Sequence, residues 1–504
     1  MTPLDPHLPV IVGLGEHVRR PGDDGPTEPA QLMATATRRA LDDSGAGDAL
    51  LQRVGLIAAV PTASWGDGNP GGRVAELLGI DAPTIRTSNQ GGNGPGVLIA
   101  TIGERIQAGT LDAGLLCGAE ALRTLSEAMK RGEDPGWPAA DPTRPADEVL
   151  EPDRPANTEE ETSVGLLAPI MAYPLIEQAI RHEAGRTPDE HQEVISRLWS
   201  RFSEVAATNA ASWSQASYSA AEIGTPSPRN RRVTLPYTKL LNSNIQVDQA
   251  AAVLVCSVAV AQELGVPREQ WVFLHAGAFA TDEWFLSERR ELHRSPAIRA
   301  CGEAAFAHAG VRADDLGPVD LYSCFPSAVE LAARELDLPI DDPGRPLTCT
   351  GGLTFFGGPG NNYATHGIVA VARQLREAPA GTTGLSTALG WYATKHALGV
   401  YGNEPPAQPY AAFAAEPDRP APRVVAEPGE YAGVAETCTL IFDRSGEPSY
   451  GILFALLDDG RRAIGHTTDP EVMAKMVASD ILGETVELRA DRSFTPACLA
   501  EASR

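Results

Sequence analysis

Between residues 9 and 122, short apolar runs alternate with stretches in which apolar residues recur every three or four positions. Residues 9–14, 54–60 and 111–118 read as strands, and 28–44 and 96–109 as helices lying on a sheet. Strand–helix–strand alternation implies a parallel sheet. The pattern then breaks. Residues 120–165 hold twelve acidic and five basic residues among several prolines, which predicts an insertion outside the sheet. Helices are expected at 174–184 and 188–211, followed by the basic, proline-punctuated stretch Thr225–Lys239. Strand character returns at 249–258, and a second α/β set runs from Trp271 to about residue 400, with a helix at 295–309 and a strand at 319–324. Two α/β halves of similar size suggest an internal duplication, although no residue-level repeat is visible. Six prolines between Asn403 and Pro422 exclude a regular helix or a central strand there and mark a linker. Beyond it, four strand-like runs and one helix at 470–478 predict a small β-rich C-terminal domain, with an OB-like barrel as one arrangement.

Composition narrows the function. At about 100 to 200 residues per domain, 504 residues allow two to four domains, and 43% hydrophobic content is enough to fill their cores. A formal net charge of −25 disfavours nucleic acid and an acidic membrane surface as partners. The seven cysteines are scattered and never spaced CxxC, as expected for free thiols in a reducing compartment without a zinc site. No basic-then-apolar leader and no run of about 18 apolar residues is present, so the expectation is a soluble cytoplasmic protein.

Four stretches could carry chemistry. In Thr87–Ala100, four glycines (Gly91, Gly92, Gly94, Gly96) and Asn93 sit where a strand should pass into a helix; their N–H groups could receive an anion or a carbonyl oxygen, and a close helix-to-sheet contact explains the same glycines. Tyr322-Ser-Cys324-Phe-Pro326 puts a thiol at a helix start, where a thiolate is stabilised, though free cysteines are more often buried and inert. In Cys349–His366 two glycine clusters flank an aromatic pair, with Gly358, Asn361, Asn362 and His366 as candidate groups. The fourth stretch, Ser386–His396, is accounted for by sheet packing alone.

Taken in this order, the four stretches resemble the thiolase superfamily over roughly residues 8–402, near the sterol-carrier-protein-type thiolases. The resemblance implies a five-layered αβαβα fold of two similar halves. Residues 1–122 with 236–266 would form the first half, 123–235 an inserted loop domain, 267–402 the second half, 403–422 the linker and 423–504 an added domain like that of the type 1 thiolase-like proteins. It also implies an acyl-CoA substrate with no tightly bound cofactor and no metal. On this chain the family's nucleophile position falls on Gly91, its Gly-His-Pro histidine on Gly358 and its C-terminal cysteine on Ser386–Ala388, while Tyr322–Phe325 keeps Cys324 at the acid/base cysteine.

Two readings follow. One is an acyl-CoA acyltransferase of lipid metabolism, making or breaking a C–C bond in a Claisen-type step with Cys324 as nucleophile or acid/base and His366, Tyr322 or His396 as proton partners. Gly91, Gly92, Asn93, Gly358, Asn361, Asn362 and Ser386 would line the substrate site. The other is a catalytically silent CoA or acyl-CoA binder, or a partner subunit. In both, Arg229, Arg231, Arg232 and Lys239 could meet the CoA phosphates. Monomer and homodimer both stand. A nucleic-acid role for the C-terminal domain ranks last on charge.

Overall fold

The structure is a computed structural model describing residues 4–502 apart from Pro26, Asp67, Gln90, Ala140 and Pro142, so Gln90 of the first glycine stretch lies outside the described residues. The first half runs β1 (Pro9–Val18), α1 (Pro29–Ser44), β2 (Val54–Ala59), α2 (Pro70–Leu78), β3 (Thr84–Arg86), α3 (Gly94–Gln107) and β4 (Ala113–Ala121). α1 begins on Pro29 and stops at Gly45, held at φ 70°; its buried stripe includes Leu32, Met33, Ala36 and Ala40. The chain then leaves the sheet for β5 (Glu148–Val149), α4 (Pro169–Glu183) and α5 (Pro188–Thr208), and returns as β6 (Asp248–Ser257). The second half runs β7 (Val272–Thr281), α6 (Pro296–Ala309), β8 (Leu316–Asp320), α7 (Pro326–Glu335), α8 (Tyr363–Glu377), β9 (Thr383–Gly390) and β10 (Lys395–Gly402).

The two halves repeat one pairing scheme. β2 is parallel to β4, β4 antiparallel to β6 and β6 antiparallel to β1. Likewise β8 is parallel to β9, β9 antiparallel to β10 and β10 antiparallel to β7. The sheet is therefore mixed where strand–helix alternation predicted parallel strands, because in each half the returning strand lies antiparallel between the first strand and the parallel pair. A short pairing of Val10 with Phe273 and Ile11 with Val272 joins the halves. α3 and α8 touch strands of both halves, while α1 covers the outer face of the first and α6 that of the second. The layers are thus helix, sheet, helix, sheet, helix, and the duplication shows in topology alone.

Between the halves and the C-terminal domain, β11 (Ala411–Ala414) pairs parallel with β7 outside the main strand path. It lies between Pro409 and Pro417, and at an edge the prolines remove no ladder bond. The C-terminal strands are β12 (Tyr431–Phe442), β13 (Pro448–Leu456), β14 (Arg462–Thr467), β15 (Thr485–Leu488) and β16 (Phe494–Pro496), with α9 (Pro470–Ala478) between β14 and β15. They pair in the order β14-β13-β12-β15-β16, and a parallel bridge from His466 to Ser493 brings the two ends together. This small antiparallel sheet packs around Leu440, Leu453 and Phe494. It is fastened to the insertion and to the second half. Thr437 Oγ1 donates to the Leu175 carbonyl of α4 at 2.5 Å, and Arg181 forks onto Asp480 at 2.7 and 2.8 Å. Arg462, wholly buried, joins Glu436 to the Ser287 and Arg289 carbonyls at 2.6 Å each. Among the described residues no helix is long and apolar enough to cross a membrane.

A candidate active site between the two halves

The duplication points two equivalent helix starts, those of α3 and α8, at each other across the central layer. Asn361, just before α8, ties them. Its Oδ1 accepts from the Gly91 N–H at 2.9 Å, and its Nδ2 donates to the Pro61 and Asn89 carbonyls at 3.0 and 2.8 Å. One backbone donor of the first glycine turn is therefore already taken by protein.

The glycines of that turn are there for space. None of Gly91, Gly92, Gly94 and Gly96 has a positive φ. A methyl group at 94 would lie 2.7 Å from Thr87 Oγ1, one at 96 2.7 Å from Ala397 Cβ, and one at 92 2.5 Å from the Leu389 carbonyl and against the Tyr322 hydroxyl. Real carbon atoms do not approach so closely. At 91 the nearest obstacle is Asn93 Oδ1, followed by Lys395, the first residue of β10, whose Nζ would stand 2.6 Å from the added carbon. The Lys395 side chain is only 3% exposed; Nζ donates to Ser88 Oγ at 2.6 Å and to Glu151 Oε2 at 3.0 Å. Glu151 also accepts from Asn93 Nδ2 at 2.9 Å, and Asn93 Oδ1, buried and without a hydrogen-bond partner, faces the same space.

The second glycine stretch differs. Gly357, at φ 118°, lies against Gln249, and Gly360, at φ 50°, against Glu120. Gly358 has neither constraint: its φ is ordinary and a methyl group there would meet nothing closer than the Asn244 carbonyl at 3.4 Å. Its own N–H donates to that carbonyl at 2.8 Å. Asn362 turns away, its Oδ1 accepting from Thr365 Oγ1 at 2.7 Å, while its buried Nδ2 has no partner.

Cys324 follows β8 just ahead of α7. Burial pushes its thiol up to about 12, partly offset by a hydrogen bond to the Tyr173 hydroxyl. Tyr173, on α4, also donates to the Trp391 carbonyl at 2.9 Å and accepts from the Ala393 N–H at 3.0 Å. It thereby clamps the β9–β10 hairpin, where Trp391 and Ala393 are held at φ 56° and 53°. Tyr322 is buried edge-on against Tyr363 at 5.3 Å, its hydroxyl raised by burial and by Cys324.

Other expected site residues are elsewhere. His366 is buried in α8 with Nδ1 2.6 Å from Glu16 of β1, a carboxylate shared with Arg373. Burial works against that charge, yet the His366 and Arg373 contacts hold Glu16 below the usual carboxylate range. His396 pairs with Asp282 and the Ala393 carbonyl, both at 3.1 Å. Ser386 lies within the sheet beside Asp320 and under Gly367 of α8, so the part of β9 that reaches the glycine turn is Leu389–Gly390. Arg229 is exposed, and Arg231 bonds the Arg232 carbonyl at 2.9 Å and the Asp443 carbonyl at 3.5 Å, at the junction with the C-terminal sheet.

The sequence reading overlooked Lys395, Glu151 and Asp320. Asp320 accepts from Thr348 Oγ1, the Cys349 and Thr350 N–H groups and the Tyr363 hydroxyl at 2.8–3.2 Å, fixing the entry to the second glycine stretch; burial still pushes its carboxyl up. Among the described residues the cluster with metal-ligating spacing is Glu177, His191 and Glu330. Arg186 stands 3.3 Å from His191 Nδ1, which leaves Nε2–H to donate to Glu177 at 2.6 Å, and Tyr237 donates to the other Glu177 oxygen at 2.5 Å. Burial and the neighbouring Glu177 push the Glu330 carboxyl well up.

The family described as thiolase-like protein type 1 additional C-terminal domain matches residues 415–493. Over its whole length the chain is similar to a monomeric SCP2-thiolase like protein type 1 from Mycobacterium smegmatis. The two are 30% identical over 97% of this chain and 99% of that one, with a TM-score of 0.81. An Ltp2-ChsH2(DUF35) aldolase shares the fold at 18% identity, covering 79% of this chain and 98% of that one, TM-score 0.61. The dimeric peroxisomal thiolase of Saccharomyces cerevisiae does so at 12%, covering 80% and 99%, TM-score 0.55. No curated protein sequence matches the chain.

Proposed function

The chain belongs to the thiolase-like protein type 1 family, and from that premise we propose that it binds a CoA thioester between its two glycine turns without forming an acyl-cysteine. The observation that carries the reading is Gly91: the position to which the resemblance assigns the nucleophile has no side chain, and Asn93 Oδ1 and the end of Lys395 fill its place. A glycine offers no nucleophile, and a thiol pushed up to about 12, as Cys324 is, stays protonated at neutral pH. The thioester ligand is supported by fold: a peroxisomal thiolase and an acetyl-CoA acetyltransferase from Syntrophomonas wolfei share this architecture.

The test pairs calorimetry against acetyl-CoA, acetoacetyl-CoA and longer acyl-CoAs with the intact mass of the protein after incubation. Heat of binding without an acyl mass increase is expected. An increase that disappears in Cys324→Ala would replace this reading with the acyltransferase one, which is favoured by the position of Cys324 between β8 and α7. Absence of heat with every thioester would dismiss both.

A monomer goes with this reading. The β3 edge of the first half carries β5 of the insertion, so its ladder groups are engaged within the chain. Light scattering giving a dimer mass would overturn it.

A further inference from the structure

We infer that Lys395 is the reactive group of this site, an amine that condenses with the ketone carbon of a 3-oxoacyl thioester; the thioester half of this inference rests on the reading above. Three independent observations lead to the amine. The first is placement. Lys395 Nζ occupies the space that a side chain at Gly91 would need, at the meeting of the α3 and α8 turns.

The second is residue choice. Four of the 41 cationic residues are lysines, namely Lys130, Lys239, Lys395 and Lys475. Lys395 alone among them is buried. Where the fold otherwise buries a cation it uses arginine, as at Arg181, Arg289 and Arg462. A guanidinium suits an ion pair with a carboxylate better than an ammonium does, but it cannot lose its proton to become a nucleophile. A lysine beside Glu151 supplies what arginine would not.

The third is cost. Lys395 follows a hairpin that keeps Trp391 and Ala393 in the left-handed region, which is unfavourable for residues other than glycine. The Tyr173 hydroxyl holds both peptides in place. Strain maintained by a buried clamp fixes where the next side chain goes, and here it delivers an amine to the turn. A groove of about 510 Å³ lined by Thr281, His396 and Arg419 reaches Glu151, the carboxylate that accepts from Lys395 Nζ.

The step is a condensation. Glu151 takes a proton from the ammonium, and the neutral amine attacks the ketone carbon. Glu151 returns that proton to the resulting alkoxide, takes one from the nitrogen to leave the neutral carbinolamine, and gives it to the hydroxyl, which departs as water and leaves the protonated imine. Ammonium plus ketone become protonated imine plus water, and nothing is oxidised or reduced.

Trapping tests this. The full-length protein is incubated with acetoacetyl-CoA or with free acetoacetate, sodium cyanoborohydride is added, and the adduct is mapped by peptide mass spectrometry. A reduced adduct on Lys395 is expected, lost in Lys395→Arg, a variant that keeps the charge beside Glu151 and whose folding is checked by circular dichroism. Calorimetric binding of acetoacetyl-CoA with no adduct on Lys395 would overturn the amine and leave the thioester reading standing. An adduct on Lys395 from acetoacetate alone, with no binding of the CoA ester, would keep the amine and remove the thioester. Adducts confined to Lys130, Lys239 and Lys475 would overturn the amine as well.

Discussion

Gly91 and Gly358 occupy equivalent places in a duplicated fold, one ahead of each central helix, and the resemblance assigns a catalytic side chain to both. Their surroundings differ. Around Gly91 the vacated space has been refilled by Lys395 and Asn93, and Asn361 has taken its N–H. Around Gly358 the nearest atoms stand at ordinary contact distance. A missing side chain in a close-packed interior is either replaced by a neighbour or left as room, and which has happened shows where the site has acquired new contacts. The first-half turn has been rebuilt around an amine; the second-half turn has only lost a group.

The strongest way to break this contrast is Asn361→Ala. It leaves the Gly91 N–H and two carbonyls unpaired in the interior, and at about 1–3 kcal/mol for each unsatisfied buried group the loss in a urea unfolding curve should be about 3 kcal/mol. Next comes Gly91→Cys. Restoring a thiol there should cost about 1–3 kcal/mol by overpacking, and Lys395→Ala in the same chain should recover part of it, an interaction that a double-mutant cycle measures. Additive losses would mean that Lys395 does not fill that space.

Alkaline pH comes third. Burial raises Cys117, Cys256, Cys324 and Cys438 to about 12 in the fold. The unfolded chain loses these protons first, from about 8.5 upward. Their contribution is therefore fully present below that pH and is lost as the pH rises towards about 12. Thermal unfolding should show Tm falling over that window, and iodoacetamide at pH 8 should label the exposed Cys498 while sparing Cys324. The smallest effect belongs to Gly358→Ala, which should stay within about 0.5 kcal/mol of the parent, since neither φ nor space opposes it. A loss as large as that of Gly91→Cys would erase the difference between the two turns.

Much of the frame was legible in the chain. The strand expected at 54–60 is β2, and the C-terminal helix at 470–478 coincides with its observed limits. The first glycine cluster proved to be the close helix-to-sheet contact that its spacing allowed, with Gly96 against Ala397. Ser386 was misplaced because the position at which β9 turns is set by two non-glycine residues in left-handed conformations, Trp391 and Ala393, which no turn residue announces. Lys395 sat unnoticed in that same stretch, because a strand's first residue carries no mark of what stands 304 positions earlier in the chain.

The sequence by itself determined where many of the strands and helices fall and the absence of a side chain at Gly91 and Gly358. These are local properties, written in periodicity, proline placement and residue identity. Only the tertiary structure decided that Asn93 and Lys395 crowd the space at Gly91 while a methyl group at Gly358 would meet ordinary contacts, that His366 pairs with Glu16, and that β3 carries β5 at its edge. Each of those depends on which distant segments a close-packed interior brings within a few ångströms, and that follows from the packing of all five layers together.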